Sequence, residues 1–341
     1  MRAFIAGGCG FVGLNIAEAL LRRGDDAVLF DANSLNLESA RAFDALSGSY
    51  VVHQGDVRDP ASIAAAFADG DIDAVFYGAA MTSGPDRERS APDQVLGVNL
   101  LGFVNVVKAA ADAGGVRRVI NIGSGSAYGP YRMVGEGALV EDETPSAPES
   151  LYGITKHASE AVGRRLGDLM GIDVRSVRLA AVYGPWEIDS GARDTLSPLM
   201  QAALVALDGG TAVLPRRDSQ DWVYSRDVAT ALLALIDVNA PAHDLYHIVS
   251  ETPCGVVDWC DALDGAYPDF SHAMAADAQG DGGANESETV ANINLHGDKD
   301  RLPLSGARLK ADIGHALPDD PAAAFADFLD WMAQHGAFWS K

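Results

Sequence analysis

An α/β fold with a doubly wound parallel sheet and a smaller C-terminal lobe is the architecture this sequence predicts. Three observations carry the prediction. Short apolar runs alternate with helical spacing through the first half of the 341 residues. A glycine-spaced turn joins the first apolar run to the first helical segment. After Pro185 the regular alternation stops.

Residues 3–5, 27–30, 50–53, 74–77, 118–122 and 174–178 read as strands. Segments 12–23, 61–68, 95–113 and 151–169 repeat apolar residues at helical spacing. Helices of that length between strands imply crossover connections, and so parallel pairing with helices on both faces. Loops at 78–90 and 135–148 follow strand ends, on the side where open α/β sheets bind ligands. Beyond Pro185 the reading is a helix at 196–207, a strand at 211–214, a helix at 226–236, a strand at 245–249 and a final helix at 321–332. Residues 275–288, rich in Gly, Asp and Ala, read as a mobile surface loop.

Charge narrows the function classes. The chain has 48 acidic and 25 basic residues, for a formal net charge of -23. Such a surface repels phosphate backbones and anionic lipid, so no nucleic-acid or membrane partner is expected. The Asp-rich bias fits solubility and a GC-rich coding sequence, and it also fits adaptation to salt. Apolar runs such as 231–236 are far short of a membrane span. Cys9, Cys254 and Cys260 give an odd count without metal-ligand spacing, which fits a reducing, cytoplasmic setting. The first strand starts too early to leave room for a signal peptide.

The glycine turn carries the first specific chemistry. Gly7, Gly10 and Gly13 stand three residues apart between the first strand and the first helix, which Phe11 and Val12 open. The first glycine permits the tight turn, the second lets backbone approach a pyrophosphate, and the third lets helix and strand pack closely. The helix N-terminus then offers free N–H groups and a positive dipole end to phosphate. Asp31 ends the second strand, where its carboxylate can accept both ribose hydroxyls and repels a 2′-phosphate. NAD is therefore expected over NADP. Asp56 and Val57 follow the third strand and can meet the adenine amino group. On these grounds residues 1–184 form a Rossmann-type NAD-binding domain and 185–341 a smaller substrate-binding lobe, with segments within 220–250 returning to the main sheet.

Tyr152 and Lys156 are spaced i and i+4, one helical turn apart on one face. An ammonium beside a phenol lowers the tyrosine pKa from its usual value of about 10. Such a tyrosine can take a proton from a hydroxyl as hydride leaves the same carbon. Ser124 follows the fifth strand and can hydrogen-bond the same oxygen, and Ser126 adds a second hydroxyl.

Taken in order, these motifs resemble the extended short-chain dehydrogenase/reductases, within the NAD-dependent epimerase/dehydratase group. The matching segments are 7–13, Asp31, Asp56-Val57, Gly78-Ala79-Ala80, Asn99, 124–129, 152–156, 178–185 and 221–228. The resemblance implies that Tyr152 is the acid/base, that Lys156 lowers its pKa and holds the ribose, and that Ser124 orients the substrate. It places Gly78, Ala79 and Ala80 at the cofactor. It puts Asn99 on the helix under the cofactor, although an amide there can equally bond backbone. It sets Arg178 and Tyr183 near the domain junction, where with Ser126 they are expected to meet substrate. It also implies a homodimer through helices 95–113 and 151–169.

The substrate side departs from the pattern. Gly125-Ser126 stand where the group's dehydratases resemble one another in an Asp-Glu pair, which argues against 4,6-dehydration. Ala181 replaces an asparagine, and Gln220-Asp221-Trp222 replaces an Arg-Asp-aromatic run, so two contacts to a nucleotide diphosphate are missing, although Arg216 and Arg217 just upstream can compensate. Two enzyme readings remain, a nucleotide-sugar epimerase and a dehydrogenase of a sugar or sugar acid. The second needs an anion-holding pocket, for which Arg87, Arg89, Arg132 and Arg193 are candidates. The alternative from another class is a non-catalytic NAD-sensing protein on the same fold.

Overall fold

The alternation of strand and helix builds one central sheet. In a computed structural model, residues 1–189, 191, 195–275, 290–314 and 317–339 are described. The strands are β1 Arg2–Ala6, β2 Asp26–Asp31, β3 Tyr50–Gln54, β4 Ala74–Tyr77, β5 Arg118–Ser124, β6 Val174–Leu179, β7 Val182–Tyr183, β8 Thr211–Leu214, β9 Val223–Tyr224, β10 Leu245–Ile248 and β11 Ser271–Met274. The helices are α1 Phe11–Arg23, α2 Leu37–Asp44, α3 Pro60–Phe67, α4 Pro85–Ser90, α5 Pro92–Leu96, α6 Phe103–Ala113, α7 Leu151–Met170, α8 Pro198–Leu207, α9 Ser225–Asp237, α10 Val256–Ala266, α11 Ala307–Ile313 and α12 Pro321–His335.

Seven strands form the main sheet in the order β3-β2-β1-β4-β5-β6-β10, every neighbouring pair parallel. Period-2 side-chain alternation explains its two cores. Ile5, Leu29, Phe76 and Ile120 face one side, while Phe4, Val28, Val75 and Val119 face the other. On the first side α9 packs across α1. Leu245–Ile248 reaches this sheet from the second half of the chain and pairs with β6. The smaller lobe is held by the β8–β11 and β7–β9 pairs and by α8, α10 and α12. Its core is aromatic, with Trp259 stacked on Phe328 at 5.1 Å and Trp186 edge-on to Trp331 at 4.7 Å.

Local signals set the helix starts. Asp59 caps α3, with Pro60 in the first turn, and Ser150 caps α7 by accepting from Gly153 N–H. Gly24 and Gly171 close α1 and α7 in the left-handed region, at φ 83° and 68°. Pro92–Ala113 runs on through a π-helical stretch at Gly97–Gly102. By length and composition this stretch could cross a membrane. Here its buried residues Val95, Phe103, Val106, Val107 and Ala110 pack inside the fold. Of the segment 275–288, every residue after Ala275 lies outside the described residues.

Candidate active site

The C-terminal ends of β1, β2, β4, β5 and β6 open into a cleft of about 1230 Å³ that continues to the smaller lobe. Parallel strands place their following loops on one edge, which brings the sequence-distant motifs together. Gly7, Gly10, Phe11, Val12, Gly13, Asp31, Asp56, Val57, Gly78, Ala79, Ala80, Ser124, Ser126, Tyr152 and Lys156 all line it.

The glycines are needed where they stand. Gly7 sits at φ +79°, and a Cβ there would lie 2.8 Å from the Ala79 backbone nitrogen. A Cβ on Gly13 would lie 2.1 Å from the Gly7 carbonyl oxygen. The turn therefore presses against the loop after β4, leaving a narrow cradle at the α1 N-terminus suited to a pyrophosphate. Asp31 accepts hydrogen bonds from the backbone N–H groups of Cys9 at 3.0 Å and Asn33 at 2.9 Å. Burial nevertheless holds its carboxyl above the usual range. A pair of ribose hydroxyls would supply the donors that offset this burial. The Asp56 carboxylate is engaged by the Arg58 guanidinium through Nε and Nη2. Together these residues fit NAD, which the Gly7–Gly13 cradle and Asp31 would hold.

Lys156 is buried, and its Nζ donates to the Ile122 carbonyl at 2.6 Å. Its Nζ lies 5.8 Å from the centre of the Tyr152 ring. Loss of water pushes its pKa from 10.5 down to about 8, with Glu160 opposing the shift. Ser124 ends β5, and its Oγ donates to Ser126 Oγ at 3.2 Å and accepts from Ser126 N–H at 3.1 Å. The loop after β4 braces the tyrosine's helix. Glu88 accepts from Leu151 N–H at 2.6 Å, and Ser83 Oγ accepts from Tyr152 N–H at 3.2 Å.

Three expected site residues lie elsewhere. Asn99 does not line the cleft. Its amide bonds both backbone groups of Met81, at 2.8 and 3.0 Å, and Thr155 Oγ1 at 3.0 Å, so it ties the β4 loop to α7. Arg178 is buried away from the cleft, its guanidinium paired with Glu160 at 2.7 Å and lying 4.3 Å from the Tyr128 ring centre. Tyr183 is buried among Tyr224, Phe325 and Phe328 in the lobe core. Burial raises its pKa far above the ordinary phenol value. An arginine paired with a buried carboxylate and a tyrosine packed in an aromatic core are both held away from the cleft. Of the arginines singled out for an anion, only Arg132 lines the cleft among the described residues. Arg89 pairs with Asp86, Arg87 Nη2 donates to Gly191 O, and Arg193 lies outside the described residues.

Sequence reasoning missed Met81, Ser83, Leu295, His296 and Arg301, which also line the cleft. Ser83 sits in the loop after β4 and carried a signal only through that loop's position. Leu295, His296 and Arg301 come from irregular chain with no periodic or motif signal. Ala181 and Gln220 do lie on the cleft wall, so the two substitutions of the usual pattern fall where a ligand passes.

The chain is similar to known proteins over most of its length. A sequence profile described as the NAD dependent epimerase/dehydratase family matches residues 3–248. UDP-glucuronate 4-epimerase 3 of Arabidopsis thaliana is 28% identical over 243 residues, covering 68% of this chain and 54% of the relative. The chain thus spans about half the length of that epimerase. The UDP-glucose 4-epimerase structure of Thermotoga maritima superposes with a TM-score of 0.75 at 18% identity, covering 98% of this chain and 99% of the other. The UDP-glucose 4-epimerase of Thermus thermophilus, solved as a complex with NAD, gives 0.72 at 23% identity, covering 97% and 98%. These likenesses establish the shared fold, and the profile match establishes more: the chain is an extended short-chain dehydrogenase/reductase and belongs to the NAD-dependent epimerase/dehydratase family.

Proposed function

We propose that this enzyme transfers hydride at a hydroxyl-bearing carbon of a carbohydrate-type substrate, with Tyr152 as acid/base. The supporting observation is the buried Lys156 ammonium beside the Tyr152 ring, at the floor of a cleft that also holds Ser124. NAD, when bound, supplies the hydride acceptor. Ser124 hydrogen-bonds the substrate oxygen. Tyr152, as phenolate, takes that oxygen's proton. Lys156 stabilises the phenolate by its charge and keeps the phenol poised near working pH. In reverse, the tyrosine returns the proton to a ketone.

Net oxidation and epimerisation share every one of these groups. Ala181 and Gln220 on the cleft wall favour net oxidation of a sugar or sugar acid, because an amide and a guanidinium for a diphosphate are missing there. The 4-epimerase relatives favour a transient oxidation with hydride return to the opposite face. One experiment separates them: a panel of nucleotide sugars and free sugar acids is incubated with enzyme and excess NAD. Stoichiometric NADH supports the dehydrogenase, and an isomer without NADH supports the epimerase. No change in any member of the panel contradicts the substrate class. The same reading includes a homodimer. Leu101 beside α6 and Leu169 on α7 are 59% and 61% exposed, which offers apolar area for a second copy.

A further inference from the structure

We propose that Arg132 and Arg301 form an anion subsite beside Ser124 that takes a carboxylate carried on the substrate's own sugar unit. This rests on the hydride-transfer reading and narrows its substrate class to sugar acids.

Arg132 ends the 3-10 turn Gly125–Arg132 after β5 and is 5% exposed. Its Nη2 donates to Asp221 Oδ1 at 3.0 Å. Its Nε and Nη1 are buried with no hydrogen-bond partner among the described residues. A buried donor without a partner calls for an explanation, and Arg132 alone carries two of them on the cleft wall. The Nη1 atom lies against Gly125, since a Cβ on that glycine would approach within 2.8 Å. Gly125 directly follows Ser124, and both line the cleft with Arg132.

Arg301 arrives at the same wall from the other half of the chain. The Leu302 N–H donates to the Arg132 carbonyl at 2.7 Å, which holds the two segments together. Asp221 does not balance both cations. Its Oδ1 is taken by Arg132, and its Oδ2 accepts from Leu304 N–H at 2.9 Å. Burial and the Arg132 charge both push the Arg301 pKa down, with Asp221 opposing. Two guanidiniums and one carboxylate leave one positive charge facing the cleft. A chain of net charge -23 has carboxylates to spare, yet among the described residues it pairs no second one with these arginines. Arg301 is half-buried on the cleft wall, and a cation partly withdrawn from water is offset by a counterion, so a ligand anion completes the site. Guanidinium forks match a planar carboxylate in two-point contact.

Position decides which anion. The free Nη1 abuts the residue next to Ser124, so the anion it holds sits within a sugar ring of the reacting carbon.

Calorimetry on NADH-loaded enzyme tests this without turnover, so it stands or falls apart from the role of Tyr152. Two probe pairs are used, D-glucuronate against D-glucose and UDP-glucuronate against UDP-glucose. The carboxylate member should bind more tightly in at least one pair. Arg301→Gln should reduce that preference by about 10- to 100-fold. Arg132→Gln should do the same, but it strips Asp221 of its partner and can unfold. Arg301→Gln, with NADH affinity as the check on folding, therefore carries the test. No preference in either pair, or a preference that survives Arg301→Gln, overturns the proposal. An equal loss for UDP-glucuronate and UDP-glucose also overturns it, because the arginines would then hold the diphosphate.

Discussion

Lys156 shows how a single residue trades stability for chemistry. Its folded pKa is lowered from 10.5 to about 8 because the ammonium is stripped of water. Below about pH 8 it is charged in both folded and unfolded chains, and the full burial cost is present. Between about 8 and 10.5 the unfolded chain binds the extra proton, so folding stability rises with pH across that window. Lys156→Met removes the cost. At pH 7 it should unfold later, with a gain of about 1–3 kcal/mol after the lost Ile122 bond is counted, and the gain should fade toward pH 10.5. Turnover should collapse in the same variant. Thermal melts at pH 7 and pH 10 check the first part, and a variant less stable than wild type at pH 7 contradicts it.

At the scale of elements, the catalytic helix is held from outside itself. Glu88 and Ser83, from the segment after β4, accept from the first N–H groups of α7, and Asn99 ties that segment to Thr155 one turn later. These contacts fix where Tyr152 emerges. Glu88→Ala should cost about 1 kcal/mol of stability, as a lost helix-end acceptor does. It should cost turnover more, about 10- to 100-fold, because small displacements of a reacting group are expensive. Steady-state kinetics alongside melts check the contrast. Elements of this kind were unevenly legible in the sequence. The first six strands and α1 and α7 carry long periodic patterns, bounded by glycines and caps, and fall where those signals put them. The short helices α2, α4 and α11 span eight residues or fewer, too short for periodicity to speak. α10, at eleven residues, hides behind a stretch of Val, Cys and Trp that reads only as packing. The site divides the same way. Gly7, Gly10 and Gly13, and Tyr152 with Lys156, declare themselves because their partners are local. Arg178 and Tyr183 sit in a motif yet point into the core, because closeness in sequence does not say which way a strand faces. Arg301 reaches the cleft through non-local folding that no window of sequence contains.

For the whole molecule, the join between the two lobes is polar as well as packed. Glu18 on α1 accepts from Trp186 Nε1 and from Arg226 Nη2, each at 2.7 Å, so one buried carboxylate links the cofactor domain to both crossing segments. That arrangement keeps the cleft's two walls in register. The exposed apolar residues beside α6 and on α7 lie away from this join, on the face proposed for the second copy. Light scattering should therefore give twice the chain mass of 35.7 kDa, and a monomer at micromolar concentration contradicts the homodimer.

The central claim is that one phenol, charged by its buried ammonium neighbour, moves the proton while hydride leaves the same carbon. Tyr152→Phe tests it most directly. On whichever substrate wild type turns over, the account predicts NAD affinity close to wild type and kcat lower by about 10²–10⁴-fold. A variant that turns over at the wild-type rate would contradict it.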